Sequence, residues 1–177
     1  MSNHAEKTAW IGETQATPLG EVWVAFSSVG IVAVDFPANQ ALFSQRLKRN
    51  GYTEIVYDPG TVEPALAQIV EYLQGKRHNF DLHIDWSVMT PFQSQALKAT
   101  FAIPYGQTVS YNEIARRIGR PRAARAVGRA QATNPQPLII PCHRVLGSDG
   151  SLHGYGAGDG LSTKAWLLQM ESNNSVK

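Results

Sequence analysis

The chain has 177 residues, of which 43% are hydrophobic and 17% are charged. This composition can form a hydrophobic core and excludes a disordered, low-complexity, coiled-coil or collagen-like chain. The single cysteine excludes an internal disulfide framework and a cysteine-rich zinc cluster. No apolar run approaches the roughly 18 residues that a membrane-spanning helix needs, and the first ten residues contain no apolar signal segment. We therefore expect a protein of the reducing intracellular environment that binds no membrane.

The net charge of +2 is unevenly distributed along the chain. Residues 1–90 carry six basic and ten acidic side chains, a net charge of −4, whereas residues 91–177 carry ten basic and four acidic ones, a net charge of +6. A polyanionic partner of the second half explains this asymmetry. An ordinary solvated surface explains it equally well, so charge alone leaves both interpretations open.

Three β-rich runs begin the chain and predict an α/β N-terminal domain. They lie at residues 8–14, 21–26 and 30–36, and they are rich in Val, Ile, Phe and Trp. Turn-forming residues separate them. We therefore expect an antiparallel three-stranded sheet in this domain.

Helices are expected to accompany this sheet. Apolar residues recur at helical spacing in 37–50 and 64–73, and a glycine follows each segment as a stop signal. Residues 54–57 are expected to form a further short strand. We place a domain boundary near residue 89, which divides the chain into domains 1–89 and 90–177.

The second half predicts a mainly helical domain with a helix-turn-helix. Thr90 and Pro91 are suited to cap and begin a helix. Ser110 and Glu113 have capping-box spacing at the start of another helix, and an alanine-rich helix is predicted over 122–133. These features favour DNA binding over a helical hairpin with a solvated basic face. This region also contains six arginines in a stretch of 14 residues: Arg116, Arg117, Arg120, Arg122, Arg125 and Arg129.

The only cysteine lies in the sequence Pro141-Cys142-His143-Arg144. A lone cysteine is usually an inert core residue. Here a histidine follows directly, and imidazole readily accepts a thiol proton near neutral pH. Adjacent residues of an extended chain point to opposite sides, so their contact requires a bridging water or a sharp bend after Pro141.

A last helix is predicted over residues 163–171, with Ser162 as its N-cap. Glu171 stands at its end, where the helix dipole disfavours a carboxylate. This side chain therefore either frays into solvent or pairs with a cation or an imidazole. An imidazole held by a carboxylate and serving a thiol is the arrangement of activated cysteines. Three apolar side chains of this helix are expected to face the core: Trp166, Leu167 and Met170.

Taken together, these motifs resemble those of the O6-alkylguanine-DNA alkyltransferases, which are also called methylated-DNA–protein-cysteine methyltransferases. The resemblance covers residues 90–171 and extends more weakly to the strand pair around residues 17–20. It implies a winged helix-like C-terminal domain. It further implies direct-reversal DNA repair, in which O6-alkylguanine is flipped out of duplex DNA and its alkyl group is transferred irreversibly, once per molecule. The motifs that carry it lie at residues 103–111, 122–128, 134–137, 139–145 and 163–168, and at Glu171.

The same resemblance implies the catalytic roles of individual residues. Cys142 accepts the alkyl group, His143 takes its proton through a water, and Glu171 orients His143. Tyr111 helps to rotate the nucleotide out of the duplex and gives a proton to the departing guanine. The Cys142 thiol is accordingly expected to ionise more readily than a free thiol, whose pKa is about 8.5.

Residues that contact DNA and the substrate follow from the same resemblance. Arg125 fills the space that the flipped nucleotide leaves. Further DNA contacts are expected from Tyr111, Ser110, Arg116, Arg120, Arg122, Ala124 and Arg129. The substrate pocket is expected to comprise Asn134, Pro137, Val145, Tyr155, Gly156 and Ala157, with the carbonyls of Cys142 and Val145 accepting from the guanine amine.

The chain departs from the family pattern in two places. Animal members bind zinc, but His4, His78 and His83 make an unconvincing ligand set, so we expect no metal and no cofactor in a cytoplasmic, monomeric protein of prokaryotic type. The loop after Tyr155 is two residues longer than usual and lacks the serine that often follows that tyrosine. Its glycines predict a pocket that tolerates larger alkyl groups, unless the extra residues only bulge into solvent.

Three other functions remain as alternatives. An alkyltransferase-like protein recognises the lesion but lacks the acceptor cysteine, which is present here. A helix-turn-helix regulator would use the cysteine only structurally, and a thiol hydrolase would turn over repeatedly. O4-alkylthymine stays open as a second substrate.

Overall fold

The computed structural model describes residues 7–14 and 17–175. Its N-terminal domain contains one four-stranded sheet, built from β1 (Thr8–Thr14), β2 (Val22–Phe26), β3 (Ile31–Asp35) and β4 (Glu54–Tyr57). The strand order is β3-β2-β1-β4. The meander of β1, β2 and β3 is antiparallel, and residues 54–57 form a strand as predicted.

The prediction of an antiparallel three-stranded sheet is nevertheless wrong, because β4 pairs in parallel with β1 and makes the sheet mixed. Helix α1 (Gln40–Arg49) carries the chain from β3 at one edge to the opposite edge. A strand that arrives after such a crossover runs in the same direction as its neighbour. Local turn signals predict hairpins but contain no information about this longer connection.

The two helices of the N-terminal domain begin where capping side chains allow. The carboxamide of Asn39 accepts a hydrogen bond from Leu42 N, so α1 begins at Gln40, later than predicted. Asp58 accepts from Thr61 N, and α2 (Pro59–Leu73) therefore begins five residues earlier than the prediction at 64. The proline at the first helical position is well tolerated there because its missing N–H would have no partner.

The C-terminal domain contains four helices among the described residues: α3 (Pro91–Phe101), α4 (Tyr111–Arg117), α5 (Ala124–Ala132) and α6 (Leu161–Asn174). Helices α4 and α5 form the predicted helix-turn-helix. The predicted caps of α3 and α4 are confirmed, since Thr90 Oγ1 accepts from Gln93 N at 3.3 Å and Ser110 Oγ accepts from Glu113 N at 3.1 Å. Short strands β5 (Val109–Ser110) and β6 (Val145–Leu146) pair in parallel beside these helices.

Helix α6 differs from its prediction at both ends. Gly160 precedes its first residue, so Ser162 lies in the first turn and donates to Asp159 O instead of capping the helix. The helix continues to Asn174, three residues beyond Glu171. Leu167 and Met170 are buried as predicted, but Trp166 is 38% exposed and the prediction for it is wrong.

The two domains share one hydrophobic core. Tyr72 of α2, Leu97 of α3 and Leu167 of α6 belong to a single buried cluster. Backbone and side-chain hydrogen bonds add to this packing: Val34 N donates to Pro135 O at 2.9 Å, and Gln136 Nε2 donates to Ile31 O at 2.9 Å. The segment before the cysteine is therefore fixed against β3. Within the described ranges, no helix is both long and apolar enough to cross a membrane.

Candidate active site

Cys142 begins a 3₁₀ turn, Cys142–Arg144, directly after Pro141. The sharp bend that contact with His143 requires is therefore present. The thiol is only 3% exposed, and Asn134 Nδ2 lies 3.2 Å from its Sγ atom. The same Nδ2 donates to Ile140 O at 2.9 Å, so Asn134 links the end of the helix-turn-helix to the turn that carries the cysteine.

Burial raises the pKa of the Cys142 thiol to about 11, although Asn134 and Lys164 act in the opposite direction. A thiolate in this interior loses its hydration. The free-energy cost of that loss exceeds the stabilisation that the Asn134 donor and the Lys164 cation provide. The expectation that Cys142 ionises more readily than a free thiol is therefore wrong. A base has to remove its proton before it can act as a nucleophile.

His143 is fully buried, and its Nε2 atom lies 2.8 Å from Glu171 Oε1. Burial lowers the pKa of the imidazole, and the nearby Glu171 carboxylate only partly opposes this effect. The ring is therefore neutral at pH 7. Its Nδ1 atom is buried without a hydrogen-bond partner among the residues that the structure describes. A neutral imidazole with a free nitrogen is the form that accepts a proton.

Glu171 is held by a cation as well as by the imidazole. Arg144 donates from Nε to both carboxylate oxygens, at 3.1 and 3.0 Å, and from Nη2 to Oε1 at 2.8 Å. Burial alone would raise the pKa of Glu171, but its contacts with His143 and Arg144 outweigh burial and hold that pKa far below its usual range. Of the two alternatives for this carboxylate, pairing is correct and fraying is wrong.

Two members of this cluster were not foreseen from the sequence. Arg144 belongs to the Pro-Cys-His-Arg motif, so its position was a signal that could have been used. Tyr72 lies in α2 of the N-terminal domain, and its hydroxyl donates to Glu171 Oε1 at 2.5 Å. The same hydroxyl oxygen lies 3.1 Å from His143 Nε2. No local pattern distinguishes Tyr72 from other buried residues of its helix.

A groove of about 400 Å³ lies along the helix-turn-helix. Tyr111 at the start of α4 and Ala124 and Arg125 at the start of α5 line it, together with His153. Lys164 is buried below and donates to Tyr111 Oη at 3.3 Å. The structure thus brings together Tyr111, Ala124 and Arg125 of the predicted DNA-binding residues.

The remaining predicted DNA-binding residues are more dispersed. Arg116 is exposed and lies 3.6 Å from Glu113, a carboxylate that also pairs with Arg117 at 3.1 Å. Arg120 lies over the ring of Phe92, 5.6 Å from its centroid. Arg129 lines a separate pocket beside α3. Arg122 is exposed and precedes α5. The Ser110 hydroxyl accepts a hydrogen bond as the N-cap of α4.

The predicted pocket residues fall into two groups. Asn134, Pro137, Gly156 and Ala157 line a cleft of about 730 Å³ between the two domains, together with an ion pair of Asp35 and Arg46 at 3.0 Å. Tyr155 and Val145 are buried instead. The Val145 carbonyl already accepts from Lys164 Nζ at 2.7 Å, which leaves one lone pair for a further donor.

The longer loop after Tyr155 is anchored to both domains. Gly158 N donates to Phe36 O at 3.0 Å, and Asp159 N donates to Thr163 Oγ1 at 2.9 Å. Ala157 is buried in the shared core. The alternative in which the extra residues only bulge into solvent is therefore wrong, and the tolerance of the pocket for larger alkyl groups stays a prediction.

No group of three or more His, Cys, Asp or Glu side chains within residues 7–14 and 17–175 is arranged to hold a metal ion. Of the three candidate histidine ligands, His4 lies outside the described residues. His78 stacks on the ring of Tyr105, with 4.0 Å between the two centroids.

Comparison with known proteins assigns a family to each part of the chain. Residues 12–86 match the ribonuclease-like domain of 6-O-methylguanine DNA methyltransferases, and residues 91–173 match the DNA-binding domain of the same proteins. The methylated-DNA–protein-cysteine methyltransferase of Methanosarcina barkeri is 41% identical over 162 residues, which are 89% of this chain and 94% of the relative.

Relatives from Mycobacterium tuberculosis are also similar in sequence and structure. Its methylated-DNA–protein-cysteine methyltransferase is 46% identical over 118 residues, 67% of this chain and 70% of that protein. The crystal structure of M. tuberculosis OGT in complex with DNA superposes with a TM-score of 0.77 at 34% identity, over 95% of this chain and 94% of that one.

Proposed function

This chain belongs to the family of methylated-DNA–protein-cysteine methyltransferases, and we propose that it repairs O6-alkylguanine in double-stranded DNA with Cys142 as the alkyl acceptor. The activity is direct reversal of DNA alkylation by transfer to a cysteine, and Cys142 is the only cysteine of the chain. One observation carries the assignment: His143, held by Glu171, follows this buried thiol and leaves its Nδ1 atom without a hydrogen-bond partner among the described residues.

The first step in this proposal is removal of the thiol proton. His143 Nδ1 takes it from Cys142 Sγ through a bridging water, and the Glu171 carboxylate stabilises the imidazolium that forms. The raised pKa of the thiol makes this base necessary, because the resting side chain is uncharged at neutral pH.

The second step exchanges the thiol proton for the alkyl group. Thiolate Sγ attacks the alkyl carbon, an S–C bond forms, the C–O6 bond breaks, and its electron pair stays on the guanine. Tyr111 protonates the departing base, and the proton on His143 returns to the phenolate through solvent, so guanine gains the proton that the thiol lost. The product is a stable thioether, so each molecule acts once.

The DNA has to deliver its base to this buried thiol. An alkyl carbon inside a duplex cannot reach Sγ, so the nucleotide leaves the stack, at a cost of a few kcal/mol. Arg125 shares the groove with Tyr111 and is suited to occupy the vacated space. The neighbouring arginines supply phosphate contacts, which give affinity without sequence preference.

We further propose that the pocket is formed by Asn134, Pro137, Val145, Tyr155, Gly156 and Ala157, and that the protein acts as a cytoplasmic monomer. The alkyl acceptor and the groups for each proton transfer all come from one chain, so the chemistry requires no cofactor, metal or second subunit. Light scattering of the protein with and without DNA tests the monomeric state, and repair in the presence of a chelator tests whether a metal is needed.

The intact mass of the protein after incubation with O6-methylguanine DNA tests the function. We expect the mass of one methylene to be gained once per molecule, and Cys142→Ser to gain none. Binding without mass change would indicate an alkyltransferase-like protein or a regulator. More than one product per protein molecule would indicate a hydrolase and would contradict stoichiometric transfer.

A further inference from the structure

Tyr72 is the residue that the N-terminal domain contributes to the cluster around His143. His143, Arg144 and Glu171 all belong to the C-terminal domain, whereas Tyr72 reaches them from α2. Its side chain is completely buried and packs edge-on against Tyr105, with 6.0 Å between ring centroids. The hydroxyl lies between Glu171 Oε1, at 2.5 Å, and His143 Nε2, at 3.1 Å.

The positions of the protons in this cluster follow from the chemistry of the groups. A phenol has one proton, and here it is donated to Glu171. The Tyr72 oxygen and the Glu171 carboxylate can therefore only accept from the imidazole. Because His143 Nε2 faces these two acceptors, the ring proton is on Nε2, and Nδ1 presents its lone pair.

The charge on His143 depends on how strongly Glu171 attracts it. Burial is the main effect that disfavours the imidazolium, Arg144 and Lys164 disfavour it further, and the Glu171 carboxylate favours it. The Tyr72 hydroxyl is a neutral donor to the oxygen of Glu171 that also faces His143. A donor to a carboxylate draws off part of its negative charge and so weakens its hold on a neighbouring proton.

From these contacts we infer that Tyr72 is a positioning residue for the repair reaction: it holds Glu171 Oε1 against His143 and keeps the imidazole an uncharged base. This inference rests on the proposed role of His143 as the acceptor of the thiol proton. It assigns the N-terminal domain a part in the chemistry that acts through Glu171 and His143, in addition to packing.

The test is the pH dependence of single-turnover alkyl transfer in Tyr72→Phe. Without the hydroxyl, Glu171 attracts the imidazole proton more strongly, so His143 becomes protonated at higher pH. We expect the acid limb of the pH–rate profile to move to higher pH by about one unit. On the acidic side of the profile, the rate of the variant should therefore be about tenfold lower than that of the parent. A uniform loss of rate at every pH, or no change, would overturn the inference.

Tyr105→Phe is the matched control. Tyr105 packs against Tyr72 in the same aromatic cluster, and its hydroxyl is buried without a hydrogen-bond partner among the described residues. Its removal should leave the pH profile in place. An equal shift in this variant would mean that packing of the cluster sets the profile, and the role of the Tyr72 hydroxyl would be refuted.

A second variant keeps the ring and the hydroxyl and thereby avoids any failure to fold. Fluorotyrosine at position 72 is a stronger donor to Glu171, so it should move the acid limb in the opposite direction, to lower pH. Movement in the same direction as Tyr72→Phe would contradict the inference.

Nitrogen-15 NMR of the parent protein, with His143→Gln to assign the signal, reads the imidazole directly. At pH 7 the ring should be neutral with its proton on Nε2, and in Tyr72→Phe it should titrate at higher pH. A parent ring protonated on Nδ1, or charged, would overturn the inference without any measurement of repair. Absence of methyl transfer to Cys142 would instead refute the proposed function, so the two failures are distinguishable.

Discussion

The backbone of Gly156 lies so close to the carbonyl oxygen of Ala132 that a side-chain carbon at position 156 would overlap it. Ala132 is the last residue of α5, and Gly156 is in the loop that follows Tyr155. A serine at position 156 therefore cannot be accommodated without displacing the loop or the helix. The packing of this loop against α5 therefore disfavours any side chain at position 156.

Gly156→Ser should therefore destabilise the protein instead of restoring a missing hydrogen bond. Overpacking against a backbone atom typically costs about 1–3 kcal/mol. The free energy of unfolding, from urea titration, measures this cost. Gly154→Ser is the control in the same loop, because no atom lies within 4 Å of a side-chain carbon built there. Equal stability of the two variants would show that the loop yields freely at residue 156.

Glu171→Gln should destabilise the protein by about 3–5 kcal/mol at neutral pH, because it leaves the Arg144 guanidinium buried without its counter-charge. The pKa of Glu171 is depressed in the fold, so its contribution is present above the unfolded pKa of about 4.3 and is lost as pH falls below that value. The difference in unfolding free energy between parent and variant should accordingly shrink below about pH 4.3.

Chemical denaturation at a series of pH values measures this difference. Glu63→Gln, which changes an exposed carboxylate on α2, is the matched control and should remain close to the parent throughout. A gap between the parent and Glu171→Gln that stays constant from neutral pH to pH 3 would argue against a coupled, ionised Glu171.

Cys142 should make the protein less stable in alkaline solution. Its pKa is about 11 in the fold and about 8.5 in an unfolded chain, so the unfolded chain loses its proton first as pH rises. The contribution is fully present below about pH 8.5 and is lost toward pH 11, with a slope of up to ~1.4 kcal/mol per pH unit. Cys142→Ser should lack this part of the loss. Parallel stability curves for the two proteins between pH 8 and 10.5 would show that the thiol is not desolvated.

Local signals in the sequence were sufficient for some features and insufficient for others. The caps at Thr90 and Ser110 involve residues three positions apart, so spacing alone predicts them. The pairing of β4 with β1 and the contact of Tyr72 with Glu171 join residues 46 and 99 positions apart. Such contacts depend on how the whole chain packs, and no local pattern encodes them.

The candidate active site also combines features that the local sequence predicts with features that depend on the whole fold. The Pro-Cys-His-Arg motif and a carboxylate in the last helix indicated a pairing of His143 with Glu171, and the structure places Glu171 Oε1 2.8 Å from His143 Nε2. The pairing of Cys142 with His143 stays a prediction. The ionisation of the thiol was predicted in the wrong direction, because the cost of desolvation depends on the core that forms around Cys142 from both domains. Burial of that kind is a property of the assembled fold.

Arg125→Ala should slow repair of duplex DNA far more than reaction with free O6-benzylguanine. Arg125 shares its groove with Tyr111, and this variant lacks the side chain that we propose fills the stack after the nucleotide leaves. A free base needs no flipping, so its reaction with Cys142 should be nearly unchanged. Arg116→Ala is the control, because the Arg116 side chain is 63% exposed and contacts Glu113 and the Asn112 carbonyl of its own helix. This variant should weaken affinity and lower the salt dependence of binding without affecting either chemical rate. The decisive measurement is the ratio of single-turnover rates on duplex and free substrates for each variant. An Arg125→Ala protein impaired equally on both substrates would show that this residue supports the fold of the site, and its assignment to nucleotide flipping would then fail.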